Sequence, residues 1–368
     1  MEQPIWALGL MSGTSMDGID AAALLTDGEE VFGFGPKRFV PFDKEQTAVL
    51  RSGLGKWQSD DGLDAIAAQV LETHVEAVRY FPTTELVGFH GQTLSHDPQA
   101  YRTFQIGDGA ALAAASGKTV VWDFRTADVL SGGEGAPLVP VFHFACAKTV
   151  GLSGVTAILN IGGVANVTWL DPNCARAESP GALLAFDTGP GNALINDYLN
   201  THRGLAMDEN GSIAETGVVR DEVVTRALDH PYFRKNAPKS LDRNDFSDFL
   251  QMVSDLSVPD AVATLTAITA ASIAASVRHM PEPPERWLVA GGGRHNKTLM
   301  RMLQAHSNIP VEPVEAVNLD GDMLEAQAFA YLAVRVKRGL ATSLPSTTGA
   351  RLPVSGGRIS EAAPRVDD

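Results

Sequence analysis

The stretch GLMSGTSMDGID, residues 9–20, connects two short apolar runs and is the most informative part of the sequence for the fold. The flanking runs, residues 5–10 and 19–25, are each predicted to be a strand. A plain hairpin needs only about two residues such as Asn-Gly, so this connection is longer than a turn requires. Its small residues offer backbone N–H groups and hydroxyls, and Gly13 and Gly18 let the backbone approach a ligand closely. This composition suits a phosphate.

The overall composition describes a globular chain of 368 residues with a formal net charge of −15. That length is typical of two domains. The negative charge argues against nonspecific binding to nucleic acid or to an anionic membrane, because both need a positive field. The two cysteines, Cys146 and Cys174, form no metal-type cluster and indicate a reducing, cytoplasmic setting. We expect no signal peptide, since Glu2 and Gln3 stand where a basic region would lie.

Strands alternate with helices in both halves of the chain, which predicts an α/β fold. The predicted strands are residues 5–10, 19–25, 86–89, 119–122, 155–160, 165–170, 183–186 and 287–290, and the predicted helices are 65–80, 109–115, 192–200, 297–306 and 323–338. The apolar run 261–277 is interrupted by Thr and Ser and predicts a buried helix of a soluble protein. A Gly- and Pro-rich segment at 131–140 suggests a junction, so we predict domains at 1–138 and 139–341, with a tail at 342–368 that packs back on the first.

A strand, a glycine turn and a returning strand occur near the start of each half, at residues 13–18 and 162–163. This repetition hints at a duplicated domain with a cleft between the copies. Polar or glycine-rich stretches follow predicted strands at 13–20, 160–166, 186–192 and 291–296, where ligands bind in open α/β sheets. None is a Walker A loop or a dinucleotide fingerprint. Each alone is compatible with a structural turn, and the four together favour a nucleotide.

Asp187 is the strongest candidate for a catalytic residue, because it ends a predicted apolar strand just before a Gly-Pro-Gly turn. A carboxylate at a strand tip can act as a general base. It can equally cap a helix that begins near Asn192, and the residues alone leave both readings open. Asp17 and Asp20 flank Gly18, where a carboxylate can hold Mg²⁺ beside a phosphate or merely bond its own turn.

Three further side chains are weaker candidates for a functional role. They are His90 in FHGQT, Arg125 in DFRTAD and Glu325 near the start of the last predicted helix. An acid in that position often only interacts with the helix dipole. A structural role remains open for each of them.

Taken together, the motifs resemble a known family. In chain order they are GLMSGTSMDGIDAA, GFHGQT, DFRTADVLSGGEGAPLVP, LNIGGVANVT, FDTGPGNALIND and LVAGGGRHN. This series is similar to anhydro-N-acetylmuramic acid kinase, a bacterial family of peptidoglycan recycling. The resemblance implies two related α/β domains of the sugar kinase/Hsp70/actin type around a nucleotide cleft. It also implies that ATP and water convert 1,6-anhydro-N-acetylmuramic acid to N-acetylmuramic acid 6-phosphate and ADP.

The resemblance also implies residue roles. Asp187 would be the general base, and Asp17 would help to hold Mg²⁺. The ATP-binding residues would be Gly13, Thr14, Ser15, Met16, Asp17, Gly18, Ile19, Asp20, Gly162, Gly163, Asn166, Gly291, Gly292, Gly293 and Asn296. The sugar would contact His90, Arg125, Gly189, Asn192 and Glu325. The expected partners are the amino sugar and ATP, without nucleic acid or membrane, and the sequence leaves open whether the chain forms a homodimer.

Two departures from the family pattern stand out. Glu134 replaces the Gln of GGQGAPL, and we expect it to face away from phosphate or to pair with a cation. The segment 237–246, APKSLDRNDF, keeps Lys239, Ser240 and Arg243 of the usual Pro-Lys-Ser-Thr-Gly-Arg-Glu form. Two other functions stay open at this point: an ATP-independent anhydro-sugar hydrolase, which needs paired carboxylates, and an Hsp70- or actin-like ATP-driven binding module, since fold alone does not settle function.

Overall fold

A computed structural model describes residues 3–13, 15–242 and 244–362. The chain divides into two units, which are unit 1, Met1–Thr149 with Met323–Asp368, and unit 2, Val150–Asp322. The strands are β1 (Ile5–Ser12), β2 (Gly18–Thr26), β3 (Val31–Pro41), β4 (Leu86–Asp97), β5 (Arg102–Ile106), β6 (Thr119–Trp122), β7 (Thr156–Ile161), β8 (Val164–Leu170), β9 (Leu183–Pro190), β10 (Arg286–Ala290), β11 (Val311–Pro313) and β12 (Arg358–Ser360).

Thirteen α-helices lie among the described residues outside the strands. They are α1 (Lys44–Arg51), α2 (Asp64–Arg79), α3 (Gly109–Ser116), α4 (Thr126–Leu130), α5 (Pro140–Thr149), α6 (Ala193–Arg203), α7 (Ser212–Thr216), α8 (Asp221–Leu228), α9 (Phe249–Met252), α10 (Val258–Ala275), α11 (Lys297–Ser307), α12 (Leu324–Lys337) and α13 (Pro345–Thr348). Each predicted strand and helix is present within a few residues of its predicted bounds.

Local sequence signals set the ends of these elements. Helix α3 begins after Asp108, whose carboxylate accepts a hydrogen bond from the Ala110 N–H at 2.8 Å. It ends at Gly117, which adopts a left-handed φ of 67° that glycine reaches without strain. The short polar cap and the terminal glycine therefore explain why an alanine-rich run of this length stops where it does.

The two sheets share one strand pattern. In unit 1 the order is β12-β6-β4-β1-β2-β3, with β5 paired to β4, and in unit 2 it is β11-β10-β7-β8-β9. The first three strands of each unit form an antiparallel meander, and two later strands add in parallel on the other side of the first strand. The prediction of two related α/β domains is confirmed by this repeated topology.

Helix α12 lies directly on the sheet of unit 1. A Cβ atom added to Gly9 of β1 would be 1.7 Å from the Ala326 carbonyl oxygen, and one on Gly88 of β4 would be 2.1 Å from the Phe329 carbonyl oxygen. Only glycine permits so close an approach of helix and strand backbones. The chain therefore returns to unit 1 at Met323, before the boundary that the sequence suggested at 341.

The first boundary also differs from the prediction at 138. The Gly- and Pro-rich segment is a loop within unit 1, where the buried Asp128 carboxylate accepts a hydrogen bond from the Gly135 N–H at 2.7 Å. The following helix α5 belongs to the same unit, which ends at Thr149. In the tail, β12 pairs antiparallel with β6 at the opposite edge from β3.

Helix α10 forms the core of unit 2. The helical stretch Val258–His279 is long and apolar enough to cross a membrane, yet 78% of its most apolar window is buried inside the structure. Its Leu265 and Ile268 side chains are at most 1% exposed within the apolar core. The prediction of a buried core helix is therefore confirmed.

Candidate functional site

The carboxyl ends of three parallel strands in unit 1 lie side by side, as expected for the ligand-binding edge of such a sheet. Ser12 at the end of β1 pairs with Gln92 of β4, and Phe89 of β4 pairs with Trp122 of β6. A cavity of about 250 Å³ lies at this edge. Its lining residues are Met11, Ser12, Gly13, His90, Gln92, Thr93, His96, Arg125 and Ala136.

The loop between β1 and β2 is anchored by its one large side chain. Met16 is 1% exposed in the core of unit 1, and its N–H donates to the Gly13 carbonyl oxygen at 3.3 Å. The side chain of Ile19 is fully buried in the same core. Both residues can therefore contact a nucleotide only through their backbone, whereas Ser15 and Asp17 are exposed. Thr14 lies outside the described residues.

The two glycines of this loop have different reasons to be glycine. A Cβ atom on Gly13 would meet nothing within 4 Å, so open space remains for a ligand. A Cβ atom on Gly18 would lie 2.5 Å from the Val40 carbonyl oxygen and from the Phe39 ring. The neighbouring strand β3 therefore explains why position 18 is glycine, and the contact of Gly18 with ATP stays a prediction.

A buried amide fixes the start of the loop. The Ser12 hydroxyl donates to Gln92 Oε1 at 2.7 Å, and Gln92 Nε2 donates to the Gly13 carbonyl oxygen at 3.3 Å. Gln92 is 1% exposed, so these bonds satisfy groups that would otherwise be costly to bury. Our sequence reasoning did not select Gln92, although it stands within the GFHGQT motif.

His90 and Arg125 form one hydrogen-bonded pair. His90 Nδ1 lies 2.8 Å from the Gly91 carbonyl oxygen, and Arg125 Nη2 lies 3.0 Å from His90 Nε2. Burial, together with the charge of Arg125, lowers the pKa of His90 to about 3. The ring is therefore neutral at pH 7, with its proton on Nδ1 and its Nε2 accepting from the guanidinium. A further bond from Arg125 Nη1 to the Gly135 carbonyl oxygen, at 2.7 Å, completes the orientation.

Glu325 joins this pair, although the sequence placed it in the other domain. Burial lowers the pKa of Arg125, and the nearby Glu325 carboxylate opposes that shift. One turn further along α12, the Phe329 ring packs on His90 with a centroid distance of 4.7 Å. Three of the predicted sugar contacts, His90, Arg125 and Glu325, are thus brought together in unit 1.

In unit 2 a row of polar residues crosses three strands. Asn166 of β8 pairs with Asn160 of β7 on one side and with Asp187 of β9 on the other. Residues directly opposite each other in an antiparallel pair share one face of the sheet. A Cβ atom on Gly291 would lie 2.3 Å from Asn160 Oδ1, so the GGGRHN stretch reaches the same edge. Asn160 was missed as a site residue, although it begins the NIGGVAN motif.

The glycines of unit 2 divide in the same way as those of unit 1. A Cβ atom on Gly292 would meet nothing within 4 Å, and one on Gly162 or Gly163 would meet its nearest atom at 3.7 Å. A Cβ atom on Gly293, in contrast, would lie 2.5 Å from the Ile161 side chain. Space for a ligand therefore remains at Gly162, Gly163 and Gly292.

Three other predicted contacts serve the structure of unit 2 directly. Asn296 is 7% exposed, and its Oδ1 caps α11 by accepting from the Leu299 N–H at 2.9 Å. Asn192 Nδ2 donates to the Ile161 carbonyl oxygen at 3.2 Å. Gly189 packs against α10, since a Cβ atom there would lie 2.7 Å from the Ser272 hydroxyl. Their roles toward ATP or the sugar stay predictions.

Asp187 does not cap the following helix. Helix α6 has Asn192 as its N-cap residue, without a side-chain cap bond. The Asp187 carboxylate instead accepts a hydrogen bond at Oδ2 from the Leu241 N–H at 3.0 Å. This contact comes from the segment that departs from the family pattern, and it leaves the general-base interpretation in place.

The residues present fit a Mg²⁺ ion that arrives with a nucleotide. Among residues 3–13, 15–242 and 244–362, no group of three or more His, Cys, Asp or Glu side chains forms a metal cage. Mg²⁺ usually keeps several waters and binds through one or two carboxylates plus phosphates. The exposed carboxylate of Asp17, beside the open loop, meets that requirement.

Glu134 is half-buried at the edge of this region of unit 1. Its Oε1 accepts a hydrogen bond from Gln99 Nε2 at 3.3 Å. The His96 ring nitrogen Nε2 lies 2.8 Å from the Glu134 carbonyl oxygen. The expectation that Glu134 faces away from phosphate or pairs with a cation stays a prediction.

Comparisons with known proteins agree over nearly the whole chain. A family model described as "Anhydro-N-acetylmuramic acid kinase" matches residues 5–362. The chain is 56% identical over 357 residues to the anhydro-N-acetylmuramic acid kinase of Roseobacter denitrificans, covering 97% of this chain and 94% of the relative. It is 51% identical over 366 residues to that of Rhodospirillum rubrum, covering 98% and 95%.

Among solved structures, a ROK family glucokinase from Streptomyces griseus in complex with glucose and AMPPNP is similar over 89% of this chain and 99% of its own, at 14% identity and a TM-score of 0.40. The family model matches residues 5–362. The two relatives are more than 50% identical to this chain over almost its whole length. The chain therefore belongs to the anhydro-N-acetylmuramic acid kinase family.

Proposed function

We propose that this chain uses ATP and water to convert 1,6-anhydro-N-acetylmuramic acid into N-acetylmuramic acid 6-phosphate and ADP, a step of cell-wall recycling. The family match over residues 5–362 carries this proposal. The enzyme is a phosphotransferase with an alcohol acceptor. Membership of a kinase family favours neither an ATP-independent hydrolase nor an ATP-driven binding module.

Asp187 is the general base of the proposed reaction. A water molecule loses a proton to the Asp187 carboxylate as its oxygen bonds to C1 of the sugar. The C1–O6 bond breaks, and O6 bonds to the γ-phosphorus of ATP. The bond from that phosphorus to the bridging oxygen breaks in turn, and ADP leaves. Asp187 does not end its strand, as the sequence suggested, because β9 continues to Pro190. Its half-buried position near the carboxyl end of β9 supports this role.

ATP is held chiefly by backbone groups in this proposal. The open positions Gly13, Gly163 and Gly292 let the backbone approach the nucleotide, as the glycine geometry supports. Asp17 would hold Mg²⁺, which when bound neutralises charge on the phosphates. Local donors of this kind reconcile ATP binding with a net charge of −15.

The sugar contacts proposed for unit 1 are Arg125, Glu325 and His90. The guanidinium of Arg125 donates to oxygen atoms of the sugar, and the Glu325 carboxylate accepts from a hydroxyl. Neutral His90 orients Arg125 through its Nε2 atom, 3.0 Å from Nη2. The acidic surface and the two cysteines suit small-molecule partners and a cytoplasmic enzyme, which we include in the proposal.

The test replaces Asp187 with asparagine and measures ADP release with ATP and the anhydro sugar. We expect kcat to fall by roughly 10²-fold or more, the scale of a lost general base, with ATP affinity near that of the unchanged protein. Asp229→Asn is the matched control, because the Asp229 side chain is 76% exposed. Its ion pair with Arg234, at 3.6 Å, also lies on the surface. Turnover of Asp187→Asn within tenfold of the unchanged protein would remove Asp187 from the base role.

Isotope labelling tests the order of bonds. In ¹⁸O-water the label should enter the C1 hydroxyl of the product and not its phosphate, because water attacks C1 and O6 attacks phosphorus. The product must be analysed quickly, since anomeric exchange also labels C1. Label found mainly in phosphate, or a phosphorylated product with a closed 1,6-bridge, would overturn the proposed reaction. Opening of the sugar without ATP would identify a hydrolase instead.

A further inference from the structure

Residues 239–241 of unit 2 are hydrogen-bonded to Asp187, which lies within β9. The Asp187 N–H donates to the Lys239 carbonyl oxygen at 2.9 Å. The Leu241 N–H donates to Asp187 Oδ2 at 3.0 Å. One short segment therefore holds both the backbone of Asp187 and its carboxylate, and it sets the direction in which that carboxylate turns.

Tyr232 makes a further hydrogen bond to the backbone of Asp187. Its hydroxyl donates to the Asp187 carbonyl oxygen at 2.6 Å, and the residue is 3% exposed. Lys239 Nζ donates to the Tyr232 carbonyl oxygen at 3.3 Å and lies 4.5 Å from the centre of the Tyr232 ring. Lys239 is itself only 8% exposed. These bonds link Tyr232, Lys239 and Asp187 in a closed circuit.

We propose that Tyr232, Lys239 and the backbone N–H of Leu241 form a clamp, the Asp187 clamp, that positions the carboxylate of Asp187 for proton abstraction. The clamp rests on the proposed function of Asp187. Its members are positioning residues, because they act on the reaction through Asp187. A base must lie within hydrogen-bond reach of the proton it takes, and a displacement of about 1 Å can cost roughly 10²-fold in rate.

The Leu241 side chain has no part in the clamp, since the donor is its backbone N–H. Leu241→Ala keeps that donor, whereas Leu241→Pro removes it. We expect kcat to fall about tenfold or more in Leu241→Pro, the scale of a lost hydrogen bond to a charged group. The KM values for ATP and for the sugar should stay within about twofold, and Leu241→Ala, which keeps the N–H, should lose much less of kcat than Leu241→Pro.

Tyr232→Phe is the second variant, because it removes one hydroxyl and keeps the ring. It should lower kcat several-fold, by roughly the worth of one neutral hydrogen bond, again with KM unchanged. This variant decides the question if Leu241→Pro does not fold. A merely structural role would lower the melting temperature without this separation of kcat from KM.

Combining Tyr232→Phe with Asp187→Asn separates the clamp from other effects. A residue that acts through Asp187 should cause no further loss once that carboxylate is gone. An equal loss in both backgrounds would overturn the clamp, as would unchanged kcat in both clamp variants while Asp187→Asn is slow. If Asp187→Asn itself keeps its turnover, the proposed function of Asp187 fails, and that outcome is distinct from the others.

Discussion

Replacing Gly9 with alanine should destabilise unit 1 strongly. The added Cβ atom would lie 1.7 Å from the Ala326 carbonyl oxygen and 2.6 Å from the Ala330 nitrogen. Carbon–oxygen contacts between packed backbones lie at about 3.3 Å or more, so β1 and α12 would have to separate by roughly 1.6 Å. Both opposing atoms belong to the helix backbone, and no change of side-chain rotamer relieves the overlap.

The magnitude follows from the cost of overpacking. Inserting a methyl group into a packed core typically costs about 1–3 kcal/mol, and a backbone clash belongs at the upper end. For a unit of this size, each kcal/mol lowers the melting temperature by about 2–4 °C. We therefore expect Gly9→Ala to lose about 3 kcal/mol of unfolding free energy and roughly 6–12 °C, measured by urea and thermal unfolding.

Gly33→Ala is the matched control in the same sheet. A Cβ atom at that position of β3 would meet its nearest atom, Leu25 Cβ, at 3.8 Å, which is ordinary contact. We expect a change within about 0.5 kcal/mol. If Gly9→Ala unfolds like Gly33→Ala, then α12 does not pack directly on β1, and the assignment of Leu324–Lys337 to unit 1 is wrong.

Two further predictions use the loop and the buried histidines. Gly13→Val should weaken ATP binding in calorimetry while the melting temperature changes little, because a Cβ atom there meets nothing within 4 Å; unchanged affinity would make the loop a structural hairpin. Burial lowers the pKa of His74 to about 4 and of His90 and His143 to about 3. These three imidazole rings therefore stay neutral in the folded chain at pH values where they take up protons in the unfolded chain. Their contribution to stability is present above about pH 6.5 and is lost as the pH falls toward 3, by roughly 1.4 kcal/mol per pH unit for each histidine. His143→Gln should reduce the slope of unfolding free energy against pH by that amount between pH 6 and 4, and an unchanged slope would refute it.

The ends of the parallel strands could be predicted from the sequence. Gly13, His90 and Arg125 each follow an apolar run of β type, and strands that run parallel bring their carboxyl ends to one edge. The structure confirms that these three residues line one cavity in unit 1. Periodicity and composition were enough here, because the buried strands are continuous apolar runs.

Other features carried no usable signal in the sequence. Strand β3 was missed because Phe32 and Phe34 are exposed and Pro36 interrupts the run, as happens at sheet edges. The chain's return to unit 1 at Met323 was also missed. It depends on Gly9 accepting a helix some three hundred residues away, and neither end of that contact looks unusual by itself.

The contact of Leu241 with Asp187 could not be predicted from side-chain motifs. The segment 237–246 reads as a weakened motif, because the family's Thr is replaced at this position. The structure places the backbone N–H of Leu241 on the Asp187 carboxylate, 54 residues away along the chain. A backbone donor is present in every residue except proline, so its contribution survives a change of side chain. A departure from a family motif therefore weakens a functional assignment only where the side chain makes the contact. For Leu241 the informative substitution is proline, which removes the N–H, while alanine tests nothing beyond packing.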